Sequence, residues 1–265
     1  MLIAIARDVS RTLGDCELSY VGRAPIDIDL AREQHSAYCR ALEVCGCRVV
    51  ALPAEHDLPD AVFVEDVALV FDEIAVRTRP GAASRRAETE SVARVLERYR
   101  ELRTIEPPGT LDGGDVLRIG RTIYVGESAR TNASGIEQLR AIVGDASLAK
   151  SAYTVQPVAT RGCLHLKSSV TLVADGVVLI NPEWVDREVF AAFRRIEIDP
   201  AEPHAANALR VGEHVIYPAN FPLTQRRLAS TGIATTVVDV SELQKAEGAV
   251  TCCSLVFHEA ASVRS

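Results

Sequence analysis

A pair of adjacent cysteines near the end of the chain is the feature best suited to chemistry. Cys252 and Cys253 follow the turn residue Gly248 and begin an apolar run that reaches Phe257. This pattern predicts a strand with at least one thiol at its entrance, where a cleft can reach it. We interpret Cys252 as a nucleophile and His165 as its proton carrier. The alternative is that both cysteines are small core residues, as free cysteines usually are.

Acidic residues in two other segments would complete such a site. Asp60, Glu65 and Asp66 lie in one segment, and Asp112 lies in the other. Carboxylates bind a planar guanidinium through forked, charge-assisted hydrogen bonds. A cysteine and a histidine among such acids therefore point to a guanidino carbon as the electrophile. Taken singly, each residue also fits a structural role as a cap, a turn residue or a core histidine.

Composition limits the class of protein. The 265 residues are 48% hydrophobic and 25% charged, which is ordinary for a globular protein with a substantial core. The net charge of -7 argues against nucleic-acid and membrane partners and is compatible with a cationic small molecule. No run is apolar enough for a signal peptide or a membrane span, so we expect a cytoplasmic protein.

The number and spacing of the cysteines indicate free, reduced thiols and no zinc-binding site. There are seven of them, an odd number that fits free thiols in a reducing compartment. Cys45 and Cys47 lack a second pair at zinc-finger spacing. We interpret them as the buried end of a helix and the start of a strand.

A hairpin, a helix and a returning strand recur four times. The hairpins follow Asp66, Asp115, Ser169 and Asn207, at a spacing of roughly 40–55 residues that is typical of solenoids, propellers and arrays. Their helices are predicted from Ser84, over Ile136–Val143, over Val185–Phe193 and over Pro222–Ala229.

The two ends of the chain supply a fifth unit. A strand over Cys252–Phe257 would pair with one over Leu2–Ala6, which a helix over Asp29–Cys45 and a strand over Arg48–Pro53 follow. This pairing closes a ring and removes an exposed sheet edge. We therefore predict one domain over residues 1–265, an α/β propeller of five ββαβ units. The candidate residues, which precede the hairpins, would face one cleft.

The segment between the first strand and the first helix shows no clean period. Gly14, Gly22 and Pro25 interrupt Arg7–Ile28, which is typical of a loop. Long loops in compact domains are usually functional, so we expect this loop to cover a site.

Six segments together resemble the dimethylargininases, the dimethylarginine dimethylaminohydrolases of the guanidino-group-modifying pentein superfamily. They are Phe63–Asp66, Thr78–Gly81 with Ser84–Arg86, Gly109–Asp115, Gly126–Ser128 with Arg130–Asn132, Leu164–Ser168 and Thr251–Ser254. The segments occur in the order of the family and span nearly the whole chain. The resemblance implies a five-fold α/β propeller, the pentein fold, in agreement with the repeat.

The resemblance also implies a reaction. Nω-methylated L-arginine, asymmetric dimethylarginine or monomethylarginine, would be hydrolysed to L-citrulline and dimethylamine or methylamine through a covalent cysteine thiouronium. This places the chain in arginine and citrulline metabolism and in nitric oxide regulation. The implied partner is the small-molecule substrate, with no cofactor and no metal. The sequence leaves open whether the chain forms a homodimer.

Roles follow from the resemblance position by position. Cys252 matches the nucleophile, and His165 matches the general acid and base. Asp66 and Asp112 match the carboxylates that hold the guanidinium and the histidine. The positions that match substrate contacts are Leu18, Asp60, Glu65, Arg85, Arg130 and Ala246.

The substrate contacts divide by the part of the substrate they would bind. Arg85 and Arg130 match partners of its α-carboxylate, and Leu18 and Ala246 match contacts to its amino-acid end. Some bacterial members carry Glu where Asp112 stands, so a shorter side chain must serve here. Ala246 is smaller than the Val or Ile expected, which a contact through the backbone carbonyl tolerates.

Two alternatives stand beside this hypothesis. Arginine deiminase acts on unmethylated arginine, but such enzymes usually carry an additional helical domain, for which we find no stretch. A non-catalytic pentein could serve as a binding module. The presence of Cys252, His165 and both carboxylates argues against that module.

Overall fold

Fifteen strands of the computed structural model form five sheets of three strands over the described residues, 1–145 and 153–259. They are β1 (Leu2–Arg7), β2 (Cys47–Leu52), β3 (Ala68–Val70), β4 (Ile74–Arg77), β5 (Glu101–Thr104), β6 (Val116–Ile119), β7 (Thr122–Glu127), β8 (Thr154–Ala159), β9 (Val170–Ala174), β10 (Val177–Ile180), β11 (Arg194–Glu197), β12 (Leu209–Val211), β13 (His214–Pro218), β14 (Thr235–Val238) and β15 (Ser254–His258). The sheets are β15-β1-β2, β3-β4-β5, β6-β7-β8, β9-β10-β11 and β12-β13-β14.

Every sheet repeats one topology. The middle strand is antiparallel to the first strand and parallel to the third. Parallel neighbours need a crossover, and a helical segment supplies it between the second and third strands. The α-helices are α1 (Ile28–Val44), α2 (Thr89–Leu96), α3 (Ala133–Val143), α4 (Leu166–Ser169), α5 (Pro222–Ser230) and α6 (Ser241–Gln244). Short 3-10 helices cover Leu13–Asp15, Val64–Val67, Ala83–Glu88, Gly113–Asp115 and Arg187–Phe190.

The two ends of the chain meet in one sheet. β1 lies between β15 and β2, with Leu2 opposite His258 and Ala6 opposite Ser254. Residues Ile3–Ala6 are at most 1% exposed, so this junction is part of the core. The prediction that a fifth unit closes the ring is confirmed.

The first strands of the five sheets surround a central channel of about 730 Å³. Each contributes an apolar side chain to its wall: Leu69, Leu117, Leu172, Leu209 and Val256. The segments before these strands therefore gather at one end of the channel, and the hairpin turns gather at the other. This is the convergence that the repeat predicted.

Three predicted elements differ in extent. The last strand begins at Ser254 rather than Cys252, because the cysteines lie in a turn in which Cys252 N–H donates to Ala249 over 3.2 Å. The helix predicted from Asp29 begins at Ile28. The helix predicted from Ser84 begins as a 3-10 helix and becomes α-helical at Thr89.

The helix predicted over Val185–Phe193 was wrong. That connection contains a single 3-10 helix, Arg187–Phe190. Val185 instead forms a β-bridge with Thr160, and Arg161 N–H donates to the carbonyl of Trp184 over 3.0 Å. These bonds hold the start of the segment in an extended conformation, so a helix cannot begin there.

Candidate active site

Hydrogen bonds join the loops that precede three of the first strands. Glu65 N–H, in the 3-10 helix Val64–Val67, donates to the carbonyl of Cys252 over 3.1 Å. Gly114 N–H donates to Asp66 Oδ1 over 2.9 Å. The segments that carry Cys252, Asp66 and the neighbourhood of Asp112 therefore meet at one end of the channel.

His165 lies between two buried carboxylates. Its Nε2 is 3.1 Å from Asp112 Oδ2, and its Nδ1 is 3.8 Å from Asp66 Oδ1. A Cβ at Gly114 would lie 2.5 Å from Nδ1, so the imidazole occupies space that only glycine leaves open. The second oxygen of Asp112 accepts the Gly81 N–H over 2.8 Å. Asp112, although shorter than Glu, thus reaches the histidine directly.

The surroundings of His165 favour its charged form. Burial lowers its pKa, but the charge of Asp66, the hydrogen bond with Asp112 and the charge of Asp115 together raise the pKa of His165 to about 9. Burial raises the pKa of Asp66, and His165 and Arg85 outweigh it and lower that pKa to about 2. At neutral pH the histidine is therefore a cation beside an ionised Asp66.

The two cysteines differ in access. Cys252 is half-buried, whereas Cys253 is 0% exposed and its thiol donates to the carbonyl of Ala249 over 3.4 Å. Burial raises the pKa of Cys252 to about 12, and the charges of Glu65 and Asp66 add to the rise. The Cys252 thiol is therefore protonated at neutral pH.

Arg85 is paired within the acidic cluster. It is 4% exposed, and its guanidinium donates to Asp66 Oδ2 over 2.6 Å and to Glu88 Oε2 over 2.9 Å. Arg130 is 8% exposed, and its Nη2 donates to Ser19 Oγ over 3.1 Å. Neither arginine is a solvated surface residue. Glu88 was not singled out from the sequence, although its i, i+3 spacing from Arg85 predicts a pair on a helical turn.

The Arg7–Ile28 loop packs over this end of the channel. Asp60 Oδ2 accepts the N–H of Glu17 over 3.1 Å. Leu18 packs against the hydrophobic cluster that contains Ala246 and borders Cys252. The structure therefore brings Leu18, Asp60 and Ala246 to the same region as Cys252.

Known proteins resemble this chain along nearly its whole length. The arginine deiminase family matches residues 56–205, which is more than half of the chain. The N(G),N(G)-dimethylarginine dimethylaminohydrolase of Pseudomonas aeruginosa is 40% identical over 256 residues, 96% of this chain and 98% of that protein. The Streptomyces coelicolor protein of the same name is 41% identical over 257 residues, 97% of both chains. This chain belongs to the dimethylarginine dimethylaminohydrolase family.

The fold agrees with that of a solved dimethylarginine dimethylaminohydrolase. A mutant of the Pseudomonas aeruginosa enzyme complexed with citrulline superimposes with a TM-score of 0.90 at 39% identity, over 96% of this chain and 98% of that chain. The predicted five-fold α/β propeller is confirmed. Among residues 1–145 and 153–259, no helix is long and apolar enough to cross a membrane.

In this member of the dimethylarginine dimethylaminohydrolase family, three polar side chains lie between the candidate site and the channel: Glu65, Lys167 and Thr251. The ammonium of Lys167 donates to Glu65 Oε1, and the hydroxyl of Thr251 donates to Glu65 Oε2 over 2.8 Å. Lys167 and Thr251 also line the channel. Both residues lie in motifs of the sequence, but no role was predicted for them, because their contacts with Glu65 join residues more than a hundred positions apart.

A third buried acid, Asp115, holds the backbone beside His165. Asp115 Oδ1 accepts the N–H of Leu166, the residue after His165, over 3.0 Å. Its other oxygen accepts the hydroxyls of Ser128 and Thr131 over 2.6 and 2.7 Å. Sequence reasoning treated Asp115 only as the start of a hairpin.

Three side chains of the site also have the spacing of metal ligands. Asp66, Asp112 and His165 each offer one ligand atom, and these atoms lie within 4.8 Å of one another. The contacts described above already pair these atoms with protein groups. The absence of a metal stays a prediction.

Proposed function

We propose that this protein hydrolyses Nω-methylated L-arginine to L-citrulline and dimethylamine or methylamine. The observation that carries the proposal is that the segment of the half-buried Cys252 is hydrogen-bonded to that of Glu65 and Asp66, while His165 lies between the buried carboxylates of Asp66 and Asp112. A relative of 39% identity and the same fold binds citrulline, which supports citrulline as the product.

Binding of the substrate would activate the nucleophile. The guanidinium would lie against Glu65 and Asp66, whose charges add to the burial that keeps the Cys252 thiol protonated. A cation there offsets both charges and lowers the pKa of the thiol, which then loses its proton to solvent. His165, with a pKa of about 9, already holds a proton and is unsuited to accept that of the thiol.

His165 would then act as acid and base in turn. The Cys252 thiolate adds to the guanidino carbon, His165 protonates the methylated nitrogen, and the carbon–nitrogen bond breaks to release the amine. A thiouronium on Cys252 remains. The neutral His165 takes a proton from water, and the hydroxide adds to the same carbon. The carbon–sulfur bond then breaks and the new hydroxyl loses its proton to solvent, which gives citrulline and the thiolate.

The amino-acid end would bind under the Arg7–Ile28 loop. Arg130 and Arg85 are proposed for the α-carboxylate, with Asp60 and the carbonyls of Leu18 and Ala246 near the amino group. Arg85 is paired with Asp66 and Glu88, whereas the Arg130 guanidinium donates, within residues 1–145 and 153–259, to the Ser19 hydroxyl and to no carboxylate, so Arg130 is the more available cation.

Mass spectrometry of the protein quenched during turnover of asymmetric dimethylarginine tests this proposal. We expect an adduct on the peptide that contains Cys252 and at least about a 1,000-fold loss of citrulline formation in Cys252→Ser. Cys253→Ala is the matched control and should keep most activity. Full activity in Cys252→Ser would refute the assignment of the nucleophile.

Arginine deiminase is the second candidate, because that family matches residues 56–205. Turnover of arginine and of asymmetric dimethylarginine under the same conditions separates the two. We expect kcat/KM to be at least about tenfold higher for the methylated substrate, a difference of about 1.4 kcal/mol in transition-state binding. A preference for arginine would favour the deiminase.

A single domain, a cytoplasmic location, a homodimer and a role in nitric oxide regulation are further parts of the proposal. One calorimetric unfolding transition would support the single domain. Light scattering coupled to size-exclusion chromatography decides between monomer and homodimer.

A further inference from the structure

Glu247 has a backbone conformation that normally selects glycine. Helix α6 ends in a Schellman turn, in which Gly248 N–H donates to Leu243 and Glu247 N–H donates to Gln244, both over 3.0 Å. Glu247 occupies the left-handed position of that turn with φ of 58°. Among the residues that the structure describes, it is the only non-glycine residue with positive φ. Such strained positions occur preferentially at functional sites.

The side chain of Glu247 binds the Arg7–Ile28 loop. Its carboxylate accepts three successive backbone N–H groups, those of Ser19, Tyr20 and Val21. The Ser19 N–H lies 3.0 Å from each oxygen, and the Val21 N–H lies 2.7 Å from Oε1. Consecutive N–H groups that face one carboxylate form an anion-binding nest, and hydrogen bonds to an ionised acceptor are among the strongest.

The position of this contact connects it to the substrate. Leu18 precedes Ser19, and Ala246 precedes Glu247, so one side chain joins the two backbone segments proposed to contact the amino-acid end. Two neighbouring contacts of the loop use groups that the substrate is proposed to take: Asp60 accepts the Glu17 N–H, and Arg130 donates to Ser19. Glu247 is not among the proposed substrate contacts, so its tie is available when substrate is bound.

We propose that Glu247 is a positioning residue that holds Ser19–Val21 closed over the amino-acid end of the bound methylarginine. This rests on the proposed function for the identity of the ligand. Loss of the carboxylate lowers the fraction of molecules with the loop closed, and the apparent dissociation constant rises in inverse proportion to that fraction. We expect KM for asymmetric dimethylarginine to rise about tenfold with kcat changed less than about threefold, because Glu247 does not touch the reacting atoms.

The experiment compares Glu247→Ala with Glu247→Gly. Both remove the carboxylate, but only the glycine variant relieves the left-handed backbone and should unfold at a higher temperature than the alanine variant. Hydrogen exchange of the Ser19–Val21 amides, measured without substrate, reports whether these N–H groups are hydrogen-bonded to residue 247. We expect both variants to lose protection there and to raise KM equally, and Glu247→Gln to fall between them and the unmodified protein.

Glu242→Gln is the matched control, since Glu242 accepts the Asp27 N–H at the other end of the same loop. It should keep protection at Ser19–Val21. Unchanged exchange there in Glu247→Gly would overturn the proposal, as would a KM that rises in the alanine variant alone. If the unmodified protein hydrolyses no methylarginine, the proposed function fails, whereas the exchange measurement still decides whether Glu247 holds the loop.

Discussion

Each end of the central channel has an arginine–aspartate ion pair. The nitrogen–oxygen distances of the two pairs are similar, but one pair is buried and the other is exposed to solvent. At the end that carries the candidate site, Arg85 lies 2.6 Å from Asp66, and their side chains are 5% and 4% exposed. At the far end, where the hairpin turns gather, Arg210 lies 2.7 Å from Asp175, whose side chain is 93% exposed. Removal of one partner from a buried pair leaves an uncompensated charge out of water, whereas an exposed pair is screened. Burial, not distance, therefore distinguishes the two ends.

Asp66→Asn should show the largest effect. It removes the negative charge that faces both Arg85 and His165. We expect the free energy of unfolding to fall by about 3–5 kcal/mol, the cost of breaking a buried pair. Citrulline formation should fall at least about 100-fold, since the guanidinium loses a proposed partner. Urea unfolding and a citrulline assay measure the two losses. A change in the free energy of unfolding below about 1 kcal/mol would mean that the buried pair is worth no more than an exposed one.

The stability should depend on pH through His165. Its pKa is raised from 6.5 to about 9 in the folded protein, so this contribution is fully present below pH 6.5 and is lost as pH rises through about 9. Its size is about 3 kcal/mol, because each unit of pKa corresponds to about 1.4 kcal/mol. Urea unfolding from pH 6 to pH 10 measures it. His165→Gln lacks the titrating group and should lose this dependence, and equal curves for both proteins would count against the buried cation.

Asp112→Glu tests how closely the candidate site is packed. Asp112 is 0% exposed and contacts both His165 and the Gly81 N–H. We expect the extra methylene to cost about 1–3 kcal/mol of stability, as overpacking usually does. A displaced imidazole should lower kcat about tenfold. Thermal unfolding and steady-state kinetics check both values, and unchanged values would show that the site has room for the glutamate of other members.

Arg210→Gln should have the smallest effect. It removes the pairs with Asp175 and Glu213, whose side chains are 93% and 88% exposed. We expect a loss of at most about 1 kcal/mol, reduced further by salt, and unchanged kcat/KM. Urea unfolding at low and high salt, with the citrulline assay, measures it. A loss as large as that of Asp66→Asn would mean that burial is not what separates the two ends.

Local patterns predicted most of the fold because the same unit recurs. Helical periods located the ends of α3 and α5 to within three residues, and closure through β1 and β15 followed from the exposed edge of an open array. The helix at Val185–Phe193 failed because a β-bridge to Thr160 competes with it, and local periodicity does not contain that partner.

The candidate site was also predicted in part, and the contacts between distant segments were missed. Motifs in order along the chain identified the residue types, and the repeat predicted that they converge. Glu88, Asp115, Lys167 and Glu247 were assigned no role from the sequence. Asp115, Lys167 and Glu247 contact segments that are distant in the chain, which no local pattern shows. Glu88 is different, because its partner Arg85 is three residues away.

The amino-acid sequence by itself determined the repeating unit, the ring and the set of chemical groups at its end, since these depend on local periodicity and on residue type. Only the tertiary structure decided that Arg85 is paired, that His165 is cationic, that the Cys252 thiol is protonated and that Glu247 binds the loop. The reason is that charge state depends on burial and on distances between residues far apart in the chain, which no local pattern encodes.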